Sequence, residues 1–198
     1  MVRAMSAHAS TFSDPVFISL VKDELPKLFK EARREADALG NPMTVGLYRK
    51  NKIINLLIRC YGHNRIEDVS SSRVSGRDVL IDNIAISIKT ISNNNDVKLK
   101  WTVDAEKVAV LMREYIPLYD LILARINWDM REKYQPSGLF FIPKDTQINI
   151  LQTLGRENYI RPPSPGVNAR GSSLTKQAFE KLLDDNDTIH IDVDWTNY

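Results

Sequence analysis

The stretch RDVLIDNIAISIKT, residues 77–90, is the part of the sequence that most constrains the fold. Apolar and β-branched residues run on both sides of Asp82 and Asn83, a pair typical of a tight turn. This pattern predicts a β-hairpin. Because alternate residues of a strand share a face, Ser87 and Lys89 lie together, and Lys89 comes back alongside Asp78 at the open end.

The charged residues of this hairpin have two interpretations. A carboxylate and a lysine on adjacent strands suit the hydrolysis of a phosphodiester. Asp78 and a backbone carbonyl would hold Mg²⁺, a hard ion that prefers oxygen ligands, while Lys89 positions or deprotonates the attacking water. In the alternative interpretation, Asp78 and Lys89 form an ordinary cross-strand ion pair on a solvated face.

The rest of the chain alternates helix and strand signals. Asp14-Pro15 is typical of a helix start and Gly40 of its end, and Pro26 predicts a kink or a restart between them. Further helices are predicted at 47–60, 104–114, up to Gly155 and 173–183, and strands at 120–129, 138–145 and 188–195. This order predicts an α/β fold with a mixed central β-sheet flanked by helices. With 198 residues, 43% of them hydrophobic, the chain is expected to form one domain over residues 1–198.

Composition narrows the class of protein. Cys60 is the only cysteine, which excludes an intrachain disulfide and a multi-cysteine metal site and fits a reducing compartment. No apolar run approaches the roughly 18–20 residues that cross a bilayer, and the opening residues lack the apolar segment of a signal peptide. We therefore expect a cytoplasmic protein that does not associate with a membrane.

The helix before the hairpin carries an unexpected charge. Leu47, Ile54 and Leu57 define an apolar stripe, and Lys50 falls on the same stripe. A charged residue within a packing face is uncommon unless it has a partner or a function. A lysine at the edge of such a face can also extend its ammonium group to solvent.

Together, the helix and the hairpin resemble the core of the PD-(D/E)XK nuclease superfamily. The resemblance implies that Asp78 binds the metal and that Lys89 is the catalytic lysine. It places Ser87 where the second acidic residue usually stands, and it assigns the carbonyl of Ile88 to the metal.

This chain departs from the superfamily pattern at three positions. Arg77 stands where a proline often precedes the aspartate, and Ser87 is not acidic. Members without the second acid commonly take one from the preceding helix, but this helix offers Lys50, which would repel a metal ion. Either Asp82 substitutes as a ligand, or the chain is a weakened or inactive form.

Within the superfamily, length and layout resemble a type II restriction endonuclease. The resemblance implies a Mg²⁺-dependent enzyme that acts as a homodimer on a short palindrome in double-stranded DNA, with CGCG cut to blunt ends as the site suggested. A repair or junction nuclease of the same fold would keep Asp78 and Lys89 but select DNA structure. A non-enzymatic DNA-binding module would treat the hairpin charges as incidental, and a protein-interaction domain would need an exposed apolar patch.

Two basic segments are candidates for DNA contact. Residues 38–66 contain no acidic side chain but several basic ones, which favours a phosphate-facing surface over a merely solvated helix. Its basic residues are Arg49, Lys50, Lys52, Arg59 and Arg65. The loop 155–173 has arginines, which can contact guanine, and prolines that stiffen it, although it also fits a long surface connection. Its candidate residues are Tyr159, Arg161, Asn168 and Arg170, with Arg156 at its start.

The connection between the first two helices adds Met43 and Thr44. Thr44 is a possible helix cap. Met43 has two interpretations: a staple that packs against Tyr48 at the helix start, or an apolar wedge pushed into a base step of bound DNA.

Overall fold

A computed structural model describes residues 8–72, 76–92, 96–100, 105–128, 136–163 and 171–196. Seven helices are α1 Ala9–Phe12, α2 Pro15–Ala38, α3 Val45–Tyr61, α4 Ala105–Glu114, α5 Lys144–Leu154, α6 Arg156–Tyr159 and α7 Lys176–Asp184 within these ranges. A short 3₁₀ turn, Pro42–Thr44, joins α2 to α3. The strands there are β1 Ile66–Asp68, β2 Val79–Ile81, β3 Ile84–Ser92, β4 Lys98–Lys100, β5 Asp120–Ile126, β6 Gly138–Ile142, β7 Ile160–Arg161, β8 Ser172–Leu174 and β9 Ile189–Asp192.

The strands form one large and one small sheet. The six-stranded sheet has the order β1-β2-β3-β5-β6-β9, and the three-stranded sheet has the order β4-β8-β7. In the large sheet β3 and β5 are parallel, while the other neighbours are antiparallel. A mixed central sheet flanked by helices is the predicted fold class, which is thereby confirmed. No helix in the described ranges has the length and apolar character needed to cross a membrane.

Both faces of the large sheet are buried. Ile122 and Ala124 of β5 belong to one core, together with residues of α2 and α3. Leu121 and Leu123 of the same strand belong to a second core with residues of α5 and α7. Burial on both faces explains why the segment that forms β5 is apolar without alternation.

Local signals set the ends of α2. The Asp14 carboxylate accepts a hydrogen bond from the Val16 backbone N–H at 2.9 Å, and Pro15 takes the first helical position. Gly40, with φ of 64°, follows the helix. Pro26 lies inside this single helix, so the helix does not restart there.

The predicted hairpin turn is also confirmed. Asp82 and Asn83 have φ angles of 49° and 67°, and two left-handed residues in succession are typical of the tight turn that joins twisted antiparallel strands. Val79 pairs with Ile86 across the hairpin. Continuing this register sets Asp78 opposite Ser87.

The structure corrects several predicted boundaries. Residues 172–174 form β8 instead of starting a helix, and α7 begins at Lys176, where the Thr175 hydroxyl accepts a hydrogen bond from Ala178 N at 3.0 Å. The polar segment before Thr175 pairs in the small sheet. The strands predicted at 120–129, 138–145 and 188–195 are each shorter. The predicted helix start at Asp104 lies outside the described residues.

Candidate active site

Asp78 and Lys50 meet at the open end of the hairpin. Lys50 Nζ lies 2.6 Å from Asp78 Oδ1, a charge-assisted hydrogen bond between α3 and the residue that precedes β2. The Asp78 side chain is 9% exposed and that of Lys50 is 22% exposed. The lysine is therefore the more accessible partner of the ion pair. The Asp78 carboxylate is the partner that explains why a charged residue, Lys50, stands on the apolar stripe of α3.

The second oxygen of Asp78 is bound by β3. Oδ2 accepts a hydrogen bond from the Ile88 backbone N–H at 2.6 Å and a longer one from Ser87 Oγ at 3.4 Å. In an antiparallel strand the N–H and C=O of one residue point to the same neighbour. The Ile88 carbonyl is therefore directed toward the same edge as Asp78, and both carboxylate oxygens are already engaged.

Lys89 lies two residues beyond Ser87 and is a neighbour of this pair. Burial lowers the pKa of its ammonium group, the Asp78 charge opposes that effect, and the Lys50 charge adds to it. Desolvation disfavours the charged form of a lysine. A lowered pKa makes the neutral amine more accessible, as a general base requires.

A cavity of about 460 Å³ adjoins Ser87 and Lys89. Most of its lining comes from apolar side chains of α4, of the segment that follows it and of the strand β4 region. The apolar side chains around Lys89 offer it few polar partners, which agrees with the lowering of its pKa by burial. The residues that line the cavity include Val97, Leu99, Leu111, Tyr115, Ile116, Leu118, Tyr119, Leu121 and Gln147.

Asp82 is separate from this group of residues. It lies at the turn, where its carboxylate accepts hydrogen bonds from Arg65 Nε at 3.0 Å and Nη2 at 2.7 Å. Four residues of extended chain, the interval back to Asp78, span about 13 Å. The structure therefore does not bring Asp82 and Asp78 to a shared metal site, contrary to the expectation from sequence.

Arg49, the neighbour of Lys50, is engaged inside the fold. Its side chain is buried, Nη1 donates to Ser92 Oγ at 2.8 Å, and the guanidinium lies 5.6 Å from the centroid of the Phe29 ring. Burial first, and then the charge of Arg33, lower its pKa to about 10. The structure thus gives Arg49 a role in docking α3 on β3, where the sequence suggested a phosphate contact.

The other basic residues of segment 38–66 have acidic partners. Lys52 Nζ lies 2.8 Å from Glu35 Oε1, and this hydrogen bond raises the pKa of the lysine. Arg59 binds Glu24 through both terminal nitrogens. The segment looks basic in sequence because its counter-ions lie on α2, and folding neutralises much of the predicted phosphate-facing surface.

The candidate DNA-contacting residues of loop 155–173 also differ in their surroundings. Tyr159 is buried in the second core, 6.2 Å from the Tyr115 ring between centroids, so its ring does not reach the surface as a DNA contact would require. Arg161 has a half-exposed side chain and forms an ion pair with Asp96. The other two candidates, Asn168 and Arg170, lie outside the described residues.

Met43 and Thr44 occupy the 3₁₀ turn before α3. Met43 is 66% exposed, which leaves little of its side chain for a staple. Thr44 stands at the N-cap position of α3, but its hydroxyl donates to Asn41 O at 2.7 Å and does not cap the helix. Thr44 therefore takes the predicted cap position of α3 but does not make a side-chain hydrogen bond to the helix.

Sequence reasoning missed the partners of these residues. Ser92 and Asp96 bind Arg49 and Arg161, yet each lies more than forty positions from its arginine. Ser92 is the last residue of β3, and Asp96 precedes β4 of the small sheet, so each contacts its arginine only once the chain has folded. Ser92 lies two residues past the predicted hairpin strand, so no local pattern pointed to its contact with α3.

The donor set at Asp78 does not fit a divalent metal ion with Lys50 in its present position. Mg²⁺ prefers carboxylate and carbonyl oxygens, but one Asp78 oxygen is bound to an ammonium group and the other to two hydrogen-bond donors. Across the described ranges no three His, Cys, Asp or Glu side chains cluster so as to hold a metal. A second carboxylate near position 50 is what the site lacks.

Comparisons with known proteins show the family to which the chain belongs. A family model described as restriction endonuclease ThaI matches residues 11–198. A solved structure, "Restriction endonuclease in complex with substrate DNA", has a TM-score of 0.86 and 33% sequence identity, over 96% of this chain and 90% of that chain. No curated protein matches the sequence.

The fold and these matches define a restriction endonuclease, a site-specific deoxyribonuclease. Its hairpin joins Asp78, Ser87 and Lys89 at one end. The chain belongs to the ThaI restriction endonuclease family.

Proposed function

We propose that the chain is a type II endonuclease that hydrolyses double-stranded DNA at a short palindrome, with Asp78 and Lys89 carrying the chemistry. The observation that supports this most directly is the hydrogen-bonded contact of Asp78 with Ser87 and Ile88, next to the half-buried Lys89, whose pKa is lowered. The same arrangement supports membership of the PD-(D/E)XK superfamily.

Each residue has a separate role in this proposal. Lys89, with a pKa lowered by burial, positions or deprotonates the attacking water. Ser87 and the Ile88 N–H orient the Asp78 carboxylate. Restriction endonucleases generally need a divalent metal, and we propose Mg²⁺ for the reaction of the family. Because Lys50 holds Asp78 and adds a positive charge, it weakens catalysis in this chain.

DNA binding is supported by the similar restriction endonuclease, which was solved in complex with its substrate DNA. A palindromic site mirrors a two-fold axis, so we propose that the protein acts as a homodimer. We propose CGCG, cut to blunt ends, as the site that the resemblance of this chain to type II restriction endonucleases suggests. Met43 is the proposed wedge and Arg161 a proposed phosphate contact, with Thr44 beside Met43 and with Asn168 and Arg170 completing the second DNA-contacting loop.

One domain would carry both DNA recognition and hydrolysis, since the family match spans residues 11–198. An enzyme of this class meets foreign DNA inside the cell, so the cytoplasm is its proposed location.

A plasmid digest with and without Mg²⁺ tests this function. The protein should produce discrete bands at high enzyme concentration, only with Mg²⁺, and the fragment ends should show the palindrome. Cuts confined to branched or damaged DNA would instead indicate a repair or junction nuclease. Tight binding without cleavage, even after Lys50→Glu, would indicate a DNA-binding module.

A further inference from the structure

The charge at the site is opposite to what a metal centre needs. Asp78 contributes one negative charge and Lys50 one positive charge, so this ion pair is neutral, and Lys89 in its ammonium form adds a positive charge. A cation that approaches Asp78 meets an ammonium group already at hydrogen-bond distance. An anion that approaches meets two ammonium groups and only one carboxylate.

The exposure of the pair indicates where an anion would bind. The Asp78 side chain is the more buried of the two, and Lys50 the more exposed. A phosphodiester arriving from solvent would therefore reach the Lys50 ammonium group before the carboxylate. Lysine is a compact point charge with three donors, so it can bind Asp78 and a phosphate oxygen at the same time.

The position of Lys50 is fixed by the docking of its helix. Arg49 Nη1 donates to Ser92 Oγ at 2.8 Å, one residue from Lys50. A side chain added at Gly46 would meet Thr90 Oγ1 at 3.7 Å, so α3 also runs close to β3 one turn earlier. These contacts hold the N-terminal half of α3 against the strand that carries Ser87 and Lys89.

From this geometry we propose that Lys50 replaces the divalent metal ion as the cation of the site, so that the protein binds DNA phosphate there without a metal. The inference rests on the proposed function, because it takes Asp78 and Lys89 as the hydrolytic centre. In a site with a glutamate at position 50, the two carboxylates would repel the phosphate until a metal neutralised them. Here that repulsion is absent, so phosphate binding does not require the metal.

The experiment measures DNA binding by fluorescence anisotropy in EDTA and in CaCl₂. The probes are a labelled duplex with a central CGCG and the same duplex with that sequence scrambled. The parent protein should have the same Kd in both buffers, within about twofold. Lys50→Glu should bind about tenfold or more weakly than the parent in EDTA, since an attraction becomes a repulsion, and CaCl₂ should restore its affinity.

Two further variants isolate the cause. Lys22→Glu makes the same charge change on an exposed residue of α2, near the end of the helix pair where Glu24 binds Arg59 and away from Lys50. It should leave the dependence on CaCl₂ unchanged. Lys50→Met removes the cation without adding a carboxylate, and it should weaken binding in both buffers alike. Melting curves establish that each variant is folded.

Calorimetric titration of the DNA-free protein with MnCl₂ gives a second readout. Lys50→Glu should bind Mn²⁺ and the parent should not. The inference is overturned if CaCl₂ strengthens parental DNA binding about tenfold or more, if the parent binds Mn²⁺ without DNA, or if it binds neither duplex in EDTA. Equal affinity for the two duplexes would contradict only the proposed recognition site, since the EDTA comparison remains decisive on either duplex.

Discussion

The Asp78 carboxylate accepts a hydrogen bond from the backbone N–H of Ile88 at 2.6 Å, so β3 itself orients the acid of the site. Removing the carboxylate takes away a group that the chemistry needs but that lies behind Lys50 as seen from solvent. We expect Asp78→Ala to abolish Mg²⁺-dependent cleavage, measured on plasmid DNA in the Lys50→Glu background, while the Kd for DNA in EDTA changes less than tenfold.

Asp82→Asn is the matched control for that prediction. Asparagine tolerates the left-handed backbone that Asp82 adopts with φ of 49°, and the position is about four strand residues away from Asp78. Measured in the same Lys50→Glu background, cleavage by Asp82→Asn should stay within about twofold of that of the Lys50→Glu protein. A loss of cleavage in this variant as large as that in Asp78→Ala would place Asp82 among the metal ligands after all.

Lys50→Glu is predicted to raise the cleavage rate by about two orders of magnitude or more. One substitution removes the ammonium group bound to Asp78 and supplies a second carboxylate beside it. Rates are measured from single-turnover digests with MgCl₂. Lys50→Met is the control, since it should gain far less without the new ligand. Equal gains in the two variants would show that relief of charge, and not coordination, limits the parent.

Met43 offers a test that separates DNA contact from stability. Because the side chain is 66% exposed, Met43→Ala should change the melting temperature by less than about 1 °C. As a wedge in a base step, it should contribute about tenfold to affinity for the specific duplex. Val16→Ala is a control of similar exposure at the far end of α2. A lower melting temperature with unchanged affinity would support the staple instead.

The Arg49–Ser92 hydrogen bond should contribute to folding more than to DNA binding. Ser92→Ala leaves a buried guanidinium without this acceptor, and we expect a loss of about 1–2 kcal/mol in the free energy of unfolding, measured with urea. Adding Arg49→Met should recover part of it by removing the buried charge. An Arg49→Met variant with a shallower salt dependence of DNA binding would contradict the interior role of Arg49.

Lys89 is expected to lower the stability of the folded protein. Lys89→Met should abolish cleavage and raise the free energy of unfolding by about 1 kcal/mol, since it removes a buried charge while Asp78 keeps Lys50 as its partner.

This gain in the free energy of unfolding depends on pH. The folded pKa of Lys89 lies below its unfolded value of 10.5, so the unfolded chain binds the proton more tightly between these values. The parent therefore gains stability as pH rises through that window, and the advantage of Lys89→Met shrinks. Urea unfolding at several pH values checks this.

Sequence predicted the local parts of the structure well. The capped start of α2 and the Asp82-Asn83 turn depend on neighbouring residues, and both are confirmed. Residues 173 and 174 were predicted as the start of a helix, because the strands that pair with β8, β4 and β7, lie elsewhere in the chain.

In the candidate site, too, the sequence predicted local features better than contacts between distant segments. The spacing within the hairpin predicted that Lys89 comes back alongside Asp78, whereas the register sets Asp78 opposite Ser87, with Lys89 two residues farther along β3. Charge along the sequence was less informative, because the partners of Lys52 and Arg59 are on another helix. The burial of Tyr159 likewise depends on a core assembled from distant segments. Pairwise contacts between distant segments are what a single sequence does not display.

The length of the two-residue hairpin turn sets which residues of β2 and β3 lie opposite each other at the active site. Side chains alternate between faces, so a one-residue slip between β2 and β3 would send Ser87 and Lys89 to the opposite face from Asp78. An insertion at Asp82-Asn83 could leave the hairpin folded and every reacting residue present, yet uncouple them. In this enzyme the distance along the chain, measured in residues, is as much a part of the active site as the side chains themselves.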